Sequence, residues 1–345
     1  MSSILKPEDF SLIYPEKKEC AEYNIIMLFG GSAEIKSRIL LKIRDRLMDR
    51  GEDPESFISK FDSNILCAVK TTDSNIIVAD ANYFTRICLY YPSVCEKTFG
   101  LDLYFSKDVL KKYKKDLLSN MNKGESFIVR AKKFENAAVA VKADLKRLVL
   151  PYIDREKISN YTVRFLNKNG LSPNCNKGAA KIRSVSCVSS WGIYADFSRF
   201  KNLKKTYLIN DSTGILSEFL LKAMSFAVSE CGRECTSYLC GLTGDIEHLI
   251  IPELSIGFFT DNKNHRYPYE NGTAVSTGRF LTCPDNDEFK EQKLMNEKLL
   301  SDFLDEAVFS IYEAAHLESQ NNAIFDLAFS DISLNNCLKD LLSMI

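Results

Sequence analysis

The sequence predicts an α/β fold built twice over, and three observations predict it. Short apolar runs rich in β-branched residues end at glycine or polar turns. Each is followed by a segment whose apolar residues recur at helical spacing. The same order of elements then returns about 180 residues later, and colinear recurrence is the signature of a duplicated unit.

In the first copy, residues 23–29 (YNIIMLF) form a strand that runs into Gly30-Gly31. A helix follows, with Ile35, Ile39, Leu40, Ile43 and Leu47 on one side and Lys42, Arg44, Asp45 and Arg46 on the other. Gly51 ends it, as a C-terminal glycine should. Residues 75–79 (NIIVA) are a further strand leading to Asp80. Long helical segments follow over about 107–121 and 126–148. Tyr152-Ile153-Asp154 then introduces a short helix near 155–166. In the second copy, the strand is 206–209, the turn 210–214 and the helix 216–228, closed by Gly232. Residues 254–260 (LSIGFFT) lead to Asp261. Helical segments over about 287–302 and 303–318 are followed by Phe329-Ser330-Asp331 and a helix near 333–343. Residues 167–178 (NKNGLSPNCNKG) have the composition of a linker. The expected organisation is therefore a first domain at 1–168, a linker at 169–178 and a second domain at 179–345. Strand–helix–strand order implies parallel sheets with helices on both faces, and ligands at the carboxyl ends of the strands.

Bulk properties narrow the function classes. A chain of 345 residues with 45% hydrophobic and 26% charged residues is globular and long enough for two cores. A formal net charge of −1 supplies no field for nucleic acid or an anionic membrane. The basic run from Lys107 to Lys123 is broken by Asp108 and Asp116 and reads as a solvated helix face. No stretch approaches the roughly 20 apolar residues of a membrane span. Residues 1–10 carry charges where an export signal needs an apolar core. The 11 scattered cysteines then read as thiols of a reducing, cytoplasmic compartment. Cys231, Cys235 and Cys240 lack the paired spacing of a zinc site. Trp191, the only tryptophan, is expected in the core.

Two segments carry the chemistry. A phosphate-binding loop needs glycines after a strand so that backbone N–H groups converge on phosphate oxygens. It then needs Lys and Ser or Thr at the start of a helix, the lysine for the phosphates and the hydroxyl for magnesium. Residues 30–37 (GGSAEIKS) place Gly30, Gly31, Lys36 and Ser37 as nucleotide-binding candidates. Ile35 stands where that motif has its second glycine, and Glu34 adds a charge that opposes phosphate. Asp80, at the end of an apolar strand, is the candidate partner of Ser37 on magnesium; the alternative is a strand-end cap. Residues 210–217 (NDSTGILS) keep only Ser217 of the pattern. Leu216 stands at the lysine position, and Asp211 would meet a phosphate with the wrong sign. Asp261 is the expected counterpart of Asp80. Glu253 reads as a surface turn residue, and no residue stands out as a general base.

Cys240-Gly241, Asp245, the run 249–254 (LIIPEL) and His265 resemble the second half of a bacterial family from Firmicutes. Lys181-Ile182-Arg183, Trp191-Gly192, Glu306-Ala307, Ala314-Ala315-His316 with Glu318, and Arg130-Ala131 add to the likeness. That family is described as ATPases or nucleotide-kinase-like proteins with a duplicated P-loop domain. The resemblance implies two tandem P-loop NTPase-like three-layer domains, each with a helical extension. It places Asp80 at the family's acidic strand end, and in the second half it puts Thr260, rather than Asp261, at that position. The functional expectation has two forms. One is a degenerate nucleoside triphosphatase that binds ATP or GTP with magnesium in the first domain and hydrolyses it weakly or not at all. The other is a non-enzymatic regulatory or interaction protein, with a protein partner, that retains only the fold.

Overall fold

The computed structural model describes residues 2–4, 22–59, 62, 64–83, 94–184, 186–195, 197, 200–263, 266–268, 272–282 and 287–345. His265 lies outside the described residues.

The chain forms two compact units: residues Met1–Arg130 with Phe309–Ile345, and Ala131–Val308. The strands of unit 1 are β1 (Ser2–Ile4), β2 (Asn24–Phe29), β3 (Glu55–Ile58), β4 (Leu66–Thr71), β5 (Ile76–Asp80) and β6 (Glu96–Gly100). Its helical residues belong to α1 (Ala33–Asp49), α2 (Lys107–Lys112), part of α3 (Lys114–Val149), part of α6 (Asp287–Ala328), and α7 (Asp331–Leu342). Unit 2 holds the rest of α3 and α6 with α4 (Arg155–Lys168) and α5 (Ile215–Glu230). Its strands are β7 (Ala180–Ser184), β8 (Ser186–Ser189), β9 (Gly192–Ala195), β10 (Lys205–Asn210), β11 (Cys235–Leu239), β12 (Ile246–Ile251), β13 (Ile256–Asp261) and β14 (Gly272–Ser276).

Each unit has a six-stranded sheet, ordered β1-β3-β4-β5-β2-β6 in unit 1 and β7-β11-β12-β13-β10-β14 in unit 2. Strand directions match as well. Only β4 and β12 run against their neighbours, and the β3/β4 and β11/β12 ladders both carry a register shift. Asn75 and Ser255, φ 54° and 53°, are the non-glycine residues with positive φ among those described, and each stands just before β5 or β13. This tight turn explains the departure from wholly parallel sheets. A few residues can join only antiparallel neighbours, whereas a parallel crossover needs a dozen or more.

Helix α1 starts where the apolar periodicity places it. After α1, the Glu52 N–H reaches back to the Leu47 carbonyl across Gly51 at φ +84°. After α5, Arg233 does the same to Val228 across Gly232 at φ +73°. In unit 1, α1 and α7 share a buried cluster with one face of the sheet, including Ile26, Leu28, Ile39, Ile43, Cys337 and Leu341. The opposite face buries Ile25, Met27, Phe57, Cys67 and Ile77. In unit 2, α4 and α5 pack with Tyr207, Ile209 and Phe258, while Phe197, Phe200, Tyr238 and Phe259 form an aromatic cluster on the other face. The described helices that join these clusters lie on one face of each sheet, so the expected helix–sheet–helix layering is not what the described residues build.

The boundaries also differ from expectation. Helix α4, expected in the first domain, packs in unit 2. Helix α7, expected in the second, packs in unit 1. The physical reason lies in their apolar faces: Ile158 and Phe165 meet the α5 side of unit 2, and Cys337 and Leu341 meet α1. Trp191 is also not in the core; it is 75% exposed in the β8–β9 turn.

Candidate functional site

In unit 1, β2 delivers the chain to a three-residue turn before α1. Gly30 and Gly31 have φ +80° and +68°, a left-handed conformation that costs an L-residue about 1–2 kcal/mol. A Cβ on Gly31 would lie 2.8 Å from the Phe105 ring, so that position is closed sterically as well. Ser32 caps the helix, its Oγ accepting the Ile35 N–H at 3.3 Å and its carbonyl accepting the Lys36 N–H at 3.2 Å. Glu34 falls in the first turn, where a negative charge complements the helix dipole.

These contacts differ from a phosphate cradle. The helix begins at Ala33, so Ile35 and Lys36 are already helical and their N–H groups are taken by Ser32. Ile35 stands where a phosphate loop would have a glycine; here the segment winds into helix, and the Ile35 side chain joins the core with no exposure.

The Lys36 side chain points into the protein and is wholly buried. Its ammonium donates to Asp80 Oδ1 at 2.5 Å, and Asp80 is likewise 0% exposed. Strand pairing sets Asp80 beside Leu28 of β2, on the face that meets α1. The same carboxylate oxygen accepts the Asn82 N–H at 2.8 Å, while Oδ2 is buried without a hydrogen-bond partner. Burial pushes the Asp80 carboxyl up, and Lys36 and the Asn82 N–H only partly offset it. Ser37 is turned toward β4, its Oγ accepting the Leu66 N–H at 2.9 Å. The expected magnesium pair, Ser37 and Asp80, therefore does not fit an ion: both are buried, and each is engaged by groups of the chain itself. Among the described residues, no three His, Cys, Asp or Glu side chains converge as a metal site.

Unit 2 satisfies the corresponding helix end with its own anion. Asp211 Oδ1 accepts from the Thr213 N–H and hydroxyl at 3.1 and 2.9 Å, and Oδ2 accepts the Ser217 N–H at 2.8 Å. The carboxylate expected to repel a phosphate stands at the N-terminal turn of α5, where an anion is favoured. Asp261 lies at the end of β13, accepting the Tyr267 N–H at 3.2 Å.

The register of the duplication corrects two further expectations. Ile39, Leu40, Ile43 and Leu47 of α1 match Leu220, Leu221, Met224 and Val228 of α5 in burial, so the counterpart of Lys36 is Ser217 and not Leu216. In the ladders, Leu28 pairs Asp80 and the corresponding Ile209 pairs Thr260, so the counterpart of Asp80 is Thr260, the position the resemblance gives, and not Asp261, which the internal repeat prefers. Both charges of the buried pair are thus replaced together by neutral hydroxyl residues. Thr260 donates to the Glu247 carbonyl at 2.7 Å, and its own N–H donates to Nδ1 of the buried His248.

A cavity of about 400 Å³ opens in unit 1 beside the turn, lined by residues 31–33, Asn82, the 120–128 part of α3 and the 311–325 part of α6. Glu318 lines it, and desolvation pushes its carboxyl up, with the Asp80 charge adding to the effect. Sequence reasoning missed this cavity. Paired asparagines at 321–322 on a long helix were the available signal, but no motif marks them. Comparison with protein-family models, curated proteins and solved structures finds no match for this chain. Among the described residues, no helix is long and apolar enough to cross a membrane.

Proposed function

We propose that the protein is a non-catalytic binding protein, derived from a duplicated P-loop-like architecture whose charged phosphate machinery has become internal structure. The observation that carries this reading is the Lys36–Asp80 ion pair, wholly buried at 2.5 Å. A lysine that serves phosphates must present its charge to the ligand. Withdrawing Lys36 from Asp80 would leave a buried carboxylate uncompensated, at a cost of about 3–5 kcal/mol. The joint change to Ser217 and Thr260 in unit 2 supports the same view, because a buried pair is removed at little cost only when both charges go.

The resemblance of the 240–265 region to duplicated P-loop ATPases supports the ancestry, and the internalised charges argue against carrying the activity over. A regulatory role with a protein partner follows more readily from this arrangement than turnover. Calorimetric titration of the intact protein with ATP and GTP in the presence of Mg²⁺ tests it. No saturable binding is expected up to about 1 mM, which corresponds to about 4 kcal/mol of affinity. Saturable binding or phosphate release that disappears in Lys36→Ala would overturn the reading.

A further inference from the structure

We infer that the cavity of unit 1 is a binding site for a phosphate-free nucleoside, recognised through a base that bears an exocyclic amine. This rests on the reading that unit 1 binds without phosphate chemistry. A volume of about 400 Å³ lies in the range of small-molecule sites. Its place, beside the turn after β2 and next to Asn82 beyond β5, is the carboxyl end of parallel strands, where such sheets bind ligands.

The lining chemistry selects the class. Five asparagines line this space: Asn82, Asn120, Asn122, Asn321 and Asn322. An amide offers a donor and an acceptor side by side, which is the pattern on the edge of a nucleobase. The lining also includes Met121, Ile128, Ile311 and Phe325, apolar surface of the kind that covers a ring. Asn120 donates to Gln320 and Asn321 across the two helices at 3.3 and 3.1 Å, which fixes part of the amide set. Glu318 supplies a carboxylate acceptor in the lining. An exocyclic amine has two N–H donors for these groups.

Charge excludes the nucleotide. Glu125 and Glu318 are the ionisable residues that line the cavity among those described, and the lining holds no Lys, Arg or His. A phosphate chain would meet like charge. The matching place in unit 2 serves as an internal comparison. Residues 212–214 and Asn262 there border a space of only about 50 Å³, bounded also by Cys187, Val188 and Ile193 of the β8–β9 ribbon. The Lys142 ammonium donates to the Thr213 carbonyl at its edge. The site is therefore assigned to unit 1 alone.

Methyl NMR of the intact, methionine-labelled protein provides the test, with adenosine, guanosine and cytidine as probes. Uridine serves as the probe without an amine. The Met121 methyl, in the cavity lining, should shift saturably with the three amine-bearing nucleosides, while Met48, outside the lining, stays in place. Uridine and Mg-ATP should each bind at least about tenfold more weakly, or about 1.4 kcal/mol. Ala315→Phe, which fills the cavity, should abolish the shift, and Glu318→Gln should weaken it. An unmoved Met121 with all nucleosides, or undiminished binding in a folded Ala315→Phe protein, would overturn the site. Should Ala315→Phe not fold, the comparison between wild type and Glu318→Gln decides: equal affinity with no preference over uridine overturns the assignment. Mg-ATP binding lost in Lys36→Ala would instead overturn the preceding reading while leaving nucleoside binding as a separate result.

Discussion

Replacing Lys36 by Met isolates the buried charge pair while keeping a side chain of similar length in the core. The variant leaves Asp80, 0% exposed, with the Asn82 N–H as its remaining donor. Removing one partner of such a pair costs about 3–5 kcal/mol. An independent bound comes from protonation: a carboxylate of ordinary pKa can be neutralised at pH 7 for about 4 kcal/mol, so the loss should not greatly exceed that. The sign of the pH dependence follows. In the variant, the folded-state pKa of Asp80 is raised above its unfolded value, so its contribution is present at low pH and lost as pH rises through the folded pKa. Burial already raises this carboxyl in wild type, so the deficit relative to wild type should grow as pH rises above the wild-type folded pKa, by up to about 1.4 kcal/mol per unit. Lys36→Met with Asp80→Asn removes both charges and should return to within about 1 kcal/mol of wild type. Urea unfolding followed by circular dichroism, with hydrogen exchange of the Ile25–Leu28 amides as a reporter of unit 1, measures all three proteins. A single variant that loses under about 1 kcal/mol, or a double variant as unstable as the single, would refute a structural pair.

Three further outcomes follow from the geometry. Asp211→Ala removes the acceptor of three hydrogen bonds at the start of α5 and should cost about 2–3 kcal/mol. Added sulfate should restore part of that loss in thermal melts, and a sulfate effect equal to that on wild type would count against the internal-anion account. Gly31→Ala should destabilise more than Gly30→Ala, since both pay for positive φ but only Gly31 would set a Cβ 2.8 Å from Phe105. Equal melting shifts would sink that distinction. Glu318→Gln should raise the melting temperature only slightly at pH 7, since the side chain is exposed and screened by solvent, and leave it unchanged at about pH 4. Desolvation and Asp80 hold the wild-type carboxyl up, so its penalty is absent below the unfolded pKa and complete once pH has risen through the folded pKa. A melting difference independent of pH would contradict this.

The repeat was legible because it rests on local signals: β-branched runs, terminal glycines and helical periodicity survive in each copy separately. Register was harder to read. Counting back from Ser37 set Leu216 opposite Lys36, yet the burial of Leu220, Leu221, Met224 and Val228 moves the match to Ser217. A shift of one residue in a helix rotates every side chain by about 100°, and only packing reveals it. Periodicity also could not show that residues 107–148 divide at Tyr113, or that 287–328 form one uninterrupted helix. From its place at a strand end, Asp80 reads as the partner of Ser37 on magnesium; its contact with Lys36 depends on the burial of both side chains, which the sequence pattern does not encode. The asparagines of the cavity lie far apart in sequence and meet only once α3 and α6 are placed.

The assignment of α7 to unit 1 has a consequence for synthesis. Unit 2 is a continuous stretch, Ala131–Val308, so every residue of its core leaves the ribosome in one run. Unit 1 waits. Its sheet and α1 emerge first, but Ile39 and Ile43 are covered by Cys337 and Leu341, and the Met344 carbonyl accepts from Asn24 and Lys97 on β2 and β6. The earlier-made unit is thus the later-finished one, held open through the translation of its twin. During that interval its apolar helix-facing surface stays uncovered, and closing it requires contacts more than 300 residues apart in sequence.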